Sequence, residues 1–142
     1  MKKQIELLKK YGIKNYSVKN DKITINGSLY LATLQKVDKD FLKGTTINGY
    51  LDLNGLRYAN KDFLKGATIN GPLYLSALKN ADKDFLKGTT INSSLYLNGL
   101  QNADKGFLKG TTINGFLYLG GCGLKKADRD KLRKNIKQFL TF

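Results

Sequence analysis

The sequence predicts an α/β repeat fold, a right-handed solenoid with a parallel sheet, short helical or 3-10 turns between strands, and a helical cap at each end. Three observations carry this. Ile25, Ile47, Ile69, Ile91 and Ile113 recur at intervals of 22 residues, each preceded by Thr and followed by Asn, and a fixed period of this length marks a stacked repeat. Each unit holds a Leu-x-Leu step such as Leu95-Tyr96-Leu97, whose alternation sends both leucines to one side and the tyrosine to the other, as in a strand. At both ends of the chain helical spacing replaces the repeat. A strand with one turn cannot bury its apolar side alone, whereas stacked copies line up Ile, Leu, Ala and Phe as internal ladders, and parallel crossovers are right-handed.

The elements follow in order. Residues 1–24 form the N-terminal helix and cap, with Met1 to Gly12 helical, Ile5 and Leu8 turned inward and Gly12 suited to the C′ position. Residues 25–112 make four 22-residue repeats, each reading Ile-Asn-Gly-x-Leu-Tyr-Leu-x-x-Leu and then Ala-Asp-Lys-Asp-Phe-Leu-Lys-Gly-Thr-Thr, with local variation. The stretch from Asn102 to Gly110 is acidic at its start, basic at its end and closed by Gly, which suits a helical or 3-10 turn. Residues 113–142 hold a partial fifth repeat with two extra residues inside Gly120-Gly121-Cys122-Gly123, then a closing basic helix over 128–139. Leu132, Ile136, Phe139 and Leu140 have the spacing of one helix face. Residues 1–142 therefore read as a single domain.

Composition narrows the function. The chain has 25 Lys and Arg against 11 Asp and Glu, a net charge of +14, which draws it towards anionic partners. It has no His, no Trp, one Cys and one Pro. Disulfide frameworks, His/Cys zinc sites and His-dependent catalytic relays are excluded on that inventory. The expectation is a non-enzymatic protein with no cofactor and no metal. The Asp pairs of the repeats each enclose a Lys and lack a calcium-loop signature, and Cys122 between glycines reads as part of a bend. Glu6 interrupts the apolar run at the start, so a signal peptide is not expected. No stretch approaches the roughly 18 apolar residues of a membrane span, and a lone Cys suits a reducing compartment. The expected location is the cytoplasm.

Two groups of residues are candidates for binding. Tyr30, Asp52, Tyr74, Tyr96 and Tyr118 share one outward strand position, and Tyr50 and Phe116 share the flanking one with Ser28, Pro72 and Ser94. Strands stack about 4.8 Å apart, so these side chains form a column, and Tyr is a favoured interface anchor. Cross-strand aromatic ladders also stabilise sheets by themselves. The second group is the basic patch Lys125, Lys126, Arg129, Arg133, Lys134 and Lys137, suited to phosphate contact. Residues 1–22 and 123–142 each carry +5, and residues 23–122 hold 11 Lys and Arg against 7 acids. The stripes Lys39, Lys61, Lys83, Lys105 and Lys43, Lys65, Lys87, Lys109 have acids beside them and read as paired, solvated edges.

The pattern resembles leucine-rich-repeat solenoids: its period lies within their range, and Leu29-x-Leu31-x-x-Leu34 echoes the core of their unit, with Leu34, Leu56, Leu78 and Leu100 standing where those proteins carry Asn. The basic opening followed by Ile-Asn-Gly units is similar to small repeat proteins of phages and low-GC bacteria. The resemblance implies recognition of macromolecules on the repeat surface without catalysis. The expected function is a scaffold binding a protein or ribonucleoprotein with an acidic surface through the Tyr-bearing strand face. By analogy this extends to a phage-type inhibitor of a host defence nuclease. The alternative is direct nucleic-acid binding through the basic caps and stacking tyrosines. Neither reading involves a membrane or a small-molecule substrate.

Overall fold

The computed structural model describes residues 1–59, 62–82, 84–104, 106–119, 125–127, 130 and 138–140. The chain opens with helix α1 (Lys2–Lys10), which buries Leu8 and packs Ile5 and Leu7 against the core. Gly12 ends it in a left-handed conformation, φ 72°. The Gly12 N–H donates to the Lys9 carbonyl at 3.0 Å and the Ile13 N–H to that of Leu8 at 2.9 Å. These are the two bonds of a Schellman closure, and they satisfy carbonyls that the helix end leaves open. A hairpin follows that the repeat pattern does not announce. β1 (Tyr16–Lys19) and β2 (Lys22–Ile25) pair antiparallel, joined by Asn20 and Asp21, both at positive φ, as a two-residue I′ turn requires.

From β2 onward the chain coils as a parallel β-solenoid of about four turns. Its first sheet continues from the hairpin through β4 (Thr46–Ile47), β6 (Thr68–Ile69), β9 (Thr90–Ile91) and β12 (Thr112–Ile113). A second sheet runs through β3 (Leu29–Tyr30), β5 (Leu51–Asp52), β7 (Leu73–Tyr74), β10 (Leu95–Tyr96), β13 (Phe116–Tyr118) and β14 (Gln138–Leu140). A third pairs β8 (Asn80–Ala81) with β11 (Asn102–Ala103). Between repeats the register is one unit throughout, with Thr46 opposite Thr68 and Leu73 opposite Leu95. Inward residues accordingly stack on their own kind. Ile25, Ile47, Ile69 and Ile91 form one buried column, Leu51, Leu73, Leu95 and Leu117 another, and Phe41, Phe63, Phe85 and Phe107 a third. Thr89 and Thr111 reach inward and donate their hydroxyls to the Leu64 and Leu86 carbonyls at 2.8 and 2.9 Å, so polar groups there are satisfied.

Two expectations are corrected. Among the described residues, segments 39–44, 62–66, 84–88 and 106–110 form successive β-turns in place of helical or 3-10 turns, so what is described of these coils is built from strands and turns without the α element of the expected α/β unit. Asp40, Asp62 and Asp84 stand at φ 64°, 69° and 67°, and Gly106 takes the same place in the fourth repeat. A left-handed residue there breaks any right-handed turn and lets Phe and Leu, adjacent in sequence, both point inward. The turns also bond from rung to rung, Leu42 N–H to the Phe63 carbonyl at 2.9 Å and Gly44 N–H to that of Lys65 at 2.9 Å. The second correction concerns the closing helix expected over 128–139. Lys126, Ala127 and Asp130 have helical backbone, but Gln138–Leu140 is a strand paired in parallel with Phe116–Tyr118, so helix does not extend to Phe139. The strand prolongs the second sheet by one rung. Residues 128–129 and 131–137 lie outside the described residues.

Candidate recognition surface

The outward face of the second sheet carries the aromatic residues. Because Leu51, Leu73, Leu95 and Leu117 must face the core, the next residue of each strand faces out, which fixes Asp52, Tyr74, Tyr96 and Tyr118 in one column with their registers set by backbone pairing. Tyr74 and Tyr96 stack with ring centroids 4.8 Å apart at 23°, and Tyr96 and Tyr118 at 4.4 Å and 5°. Tyr50 meets the edge of Tyr74 at 6.2 Å, and Phe116 lies 6.1 Å from Tyr118. The flanking residues thus bracket the column at both ends, making one run of five rings. Tyr30 stands apart from it across Asp52 and is 68% exposed.

Three polar neighbours serve the backbone. Ser28 and Ser94 accept the N–H groups of Tyr50 and Phe116 at 2.9 and 3.0 Å, so each serine holds the aromatic residue of the next rung. Asp52 accepts the Asn54 N–H at 2.9 Å and closes its own turn. Its carboxylate interrupts the tyrosines while doing structural work. Burial, and then the neighbouring Tyr118 and Tyr74, raise the Tyr96 hydroxyl above the ordinary tyrosine range, the signature of phenols sharing a partly desolvated column.

Apart from Asp52, charge avoids this face. Segments 35–43, 57–65, 79–87 and 101–109 hold all 11 cations and all acids but Asp52 of residues 23–122. In the coil they connect the second sheet back to the first. Beyond the hairpin, which exposes Lys19 and Lys22, the outward residues of the first sheet are uncharged too: Thr46, Thr68, Thr90 and Thr112 repeat along it, and Asn48, Asn70, Asn92 and Asn114 form a ladder of exposed amide bonds of 3.3, 2.8 and 2.8 Å.

Of the lysine stripes, Lys61, Lys83 and Lys105 lie outside the described residues, and the others pair less than their sequence neighbours suggest. Ion pairs between described residues are Lys10–Asp38 at 2.6 Å, Lys3–Asp40 at 3.5 Å and Lys43–Asp40 at 4.0 Å. The first two strap α1 to the first coil, helped by Tyr11, whose hydroxyl bonds the Asp38 carboxylate at 3.1 Å and whose ring packs 4.4 Å from Phe41. Hydrogen bonds from Lys10 and then Tyr11 hold the Asp38 carboxyl below the usual range. Lys65, Lys87 and Lys109 are exposed and make no ion pair with a described residue. Of the basic patch, Lys125 and Lys126 are exposed, and Arg129, Arg133, Lys134 and Lys137 lie outside the described residues, as does Cys122.

Among the described residues no helix is long and apolar enough to cross a membrane, and no group of three or more His, Cys, Asp or Glu is arranged to hold a metal ion. Comparison with protein-family models, with curated proteins and with solved structures returns no match.

Proposed function

We propose that this chain is a non-enzymatic recognition scaffold whose second sheet binds a protein, alone or within a ribonucleoprotein. The observation that carries the reading is the unbroken run Tyr50, Tyr74, Tyr96, Tyr118 and Phe116 on an outward face. Stacking fixes the rings before any partner arrives, so little side-chain entropy remains to be lost on binding, and Tyr supplies area and a hydroxyl at once. A protein surface suits the column better than a nucleobase does. Rings 4.4 to 4.8 Å apart occupy each other's faces and offer a ligand their edges and hydroxyls, whereas base stacking needs an open face. The likeness of the Leu-x-Leu steps to leucine-rich repeats supports surface recognition, and obstruction of a host defence nuclease is the form it would take in a phage-type inhibitor. The basic caps, with Lys125 and Lys126 exposed, would speed association with an acidic partner.

The test is capture of partners from a host lysate with and without nuclease treatment, using the wild type, Tyr74→Ala and Tyr96→Ala. A protein partner that survives nuclease and is weakened by each substitution by about 2 kcal/mol or more, with melting nearly unchanged, supports the reading. Binding that is indifferent to both substitutions while stability falls would make the column a purely structural ladder.

A further inference from the structure

The second repeat departs from its siblings in the segment that follows its second-sheet strand and lines up with the third sheet. Where the other units have Gln35, Lys79 and Gln101 it has Arg57, and where they have Lys36, Asn80 and Asn102 it has Tyr58. Arg57, Tyr58, Ala77, Lys79 and Asn80 line one open groove of about 500 Å³. The backbone beneath is fixed from rung to rung, with the Arg57 N–H bonded to the Gln35 carbonyl at 2.9 Å and the Gln101 and Asn102 N–H groups both bonded to that of Lys79.

Three features of the groove point to one ligand chemistry. Tyr58 is 69% exposed and touches no other ring among the described residues, so unlike the stacked column it keeps an open π face. Arg57 and Lys79 are exposed cations with no ion pair to a described residue. The Asn80 amide accepts from Asn102 at 3.0 Å, and Tyr58 stands where that ladder would continue, which leaves the Asn80 amide nitrogen without a partner among the described residues. An aromatic face, two cations including a guanidinium fork, and an exposed amide donor together fit a planar base carrying a phosphate. Ala77 lines the groove with no more than a methyl group. We propose that this groove binds a nucleotide, free or as one link of a single strand, with the base on Tyr58, the phosphate between Arg57 and Lys79, and the Asn80 amide on the base edge. The site is separate from the tyrosine column and stands or falls apart from it.

The experiment is fluorescence anisotropy of a short labelled oligothymidylate with the full chain at low salt, followed by competition with thymidine monophosphate, inorganic phosphate and polyglutamate. Tyr58→Ala is expected to weaken binding about tenfold, the loss of one stacked base, while Tyr58→Phe keeps it. Arg57→Gln with Lys79→Gln is expected to flatten the log-log salt dependence by about 0.7, the value for one single-strand phosphate contact. Competition by the mononucleotide identifies a free nucleotide as ligand; binding of the oligomer alone identifies a strand. The proposal is overturned if the wild type binds neither, if Tyr58→Ala binds as well as wild type, or if polyglutamate or inorganic phosphate competes as well as unlabelled oligothymidylate. Tyr96→Ala should leave this binding unchanged, so a failure here is distinguishable from a failure at the tyrosine column.

Discussion

Phe85→Ala tests how the coils are held together. The ring is 1% exposed and stacks on Phe107 at 6.0 Å and 23°. Removing it deletes the transfer energy of a buried aromatic and leaves a cavity, which together cost about 3 to 5 kcal/mol. The upper part of that range applies here. The wall of the cavity is made of rungs bonded to one another through their turns, as in the Gly88 N–H bond to the Gly110 carbonyl at 2.9 Å, so it cannot collapse to fill the space. Phe85→Leu retains most of the volume and should cost less than about 1.5 kcal/mol. Urea unfolding followed by circular dichroism gives the values, and a double-mutant cycle with Phe107→Ala should return a coupling of about 0.5 to 1.5 kcal/mol for the ring pair. A loss below about 1 kcal/mol for Phe85→Ala, or strict additivity with Phe107→Ala, would refute the ladder as the source of cohesion.

Two further outcomes follow from the same coil geometry. Tyr96 has its hydroxyl raised above the ordinary value of 10.0 by burial and by Tyr118 and Tyr74; a group whose folded pKa is raised stabilises below its unfolded pKa and loses that contribution as pH rises through the folded one. Thermal melting should therefore decline above about pH 10, and Tyr96→Phe should decline less over the same window. At Asp84, φ 67°, Asp84→Gly should leave stability within about 0.5 kcal/mol, while Asp84→Val should cost at least about 1 kcal/mol because a β-branched residue is strained there; equal unfolding midpoints for the two variants would contradict the turn geometry.

The period of 22 residues and the inward ladders are legible in the chain because every stacked position repeats its own residue type. The Thr-Ile strands are harder to see. They contribute two residues each, one in and one out, and alternation needs at least three to show itself. The turn misleads through its charges, acid before and base after, which imitate a helix dipole. Its true signal is the exchange of Asp40, Asp62 and Asp84 for Gly106, residues with left-handed tolerance in common. Near the C-terminus, Phe139 and Leu140 satisfy a helical spacing by number alone, and pairing with the strand Phe116–Tyr118 wins. At the candidate surface the outward column could be read from Leu-Tyr-Leu, but not its continuity. That Tyr50 and Phe116 bracket the stack depends on ring orientation. The groove at Tyr58 escaped the repeat reading because the single departure from a consensus looks like noise until its neighbours are known.

Because every pair of coils keeps a register of one repeat, the unit of the gene and the unit of height coincide. Gain or loss of one 22-residue segment changes the tower by a single strand spacing, about 4.8 Å, without disturbing the helix strapped at its base. Tandem duplication is thus a gradual route to a longer tyrosine column, since a new coil meets neighbours identical to those its parent met. Asp52 and Tyr58 occur once in the array and keep fixed addresses counted from the base. Copying the regular coils can therefore resize one face while leaving the other face with a single, unrepeated mark.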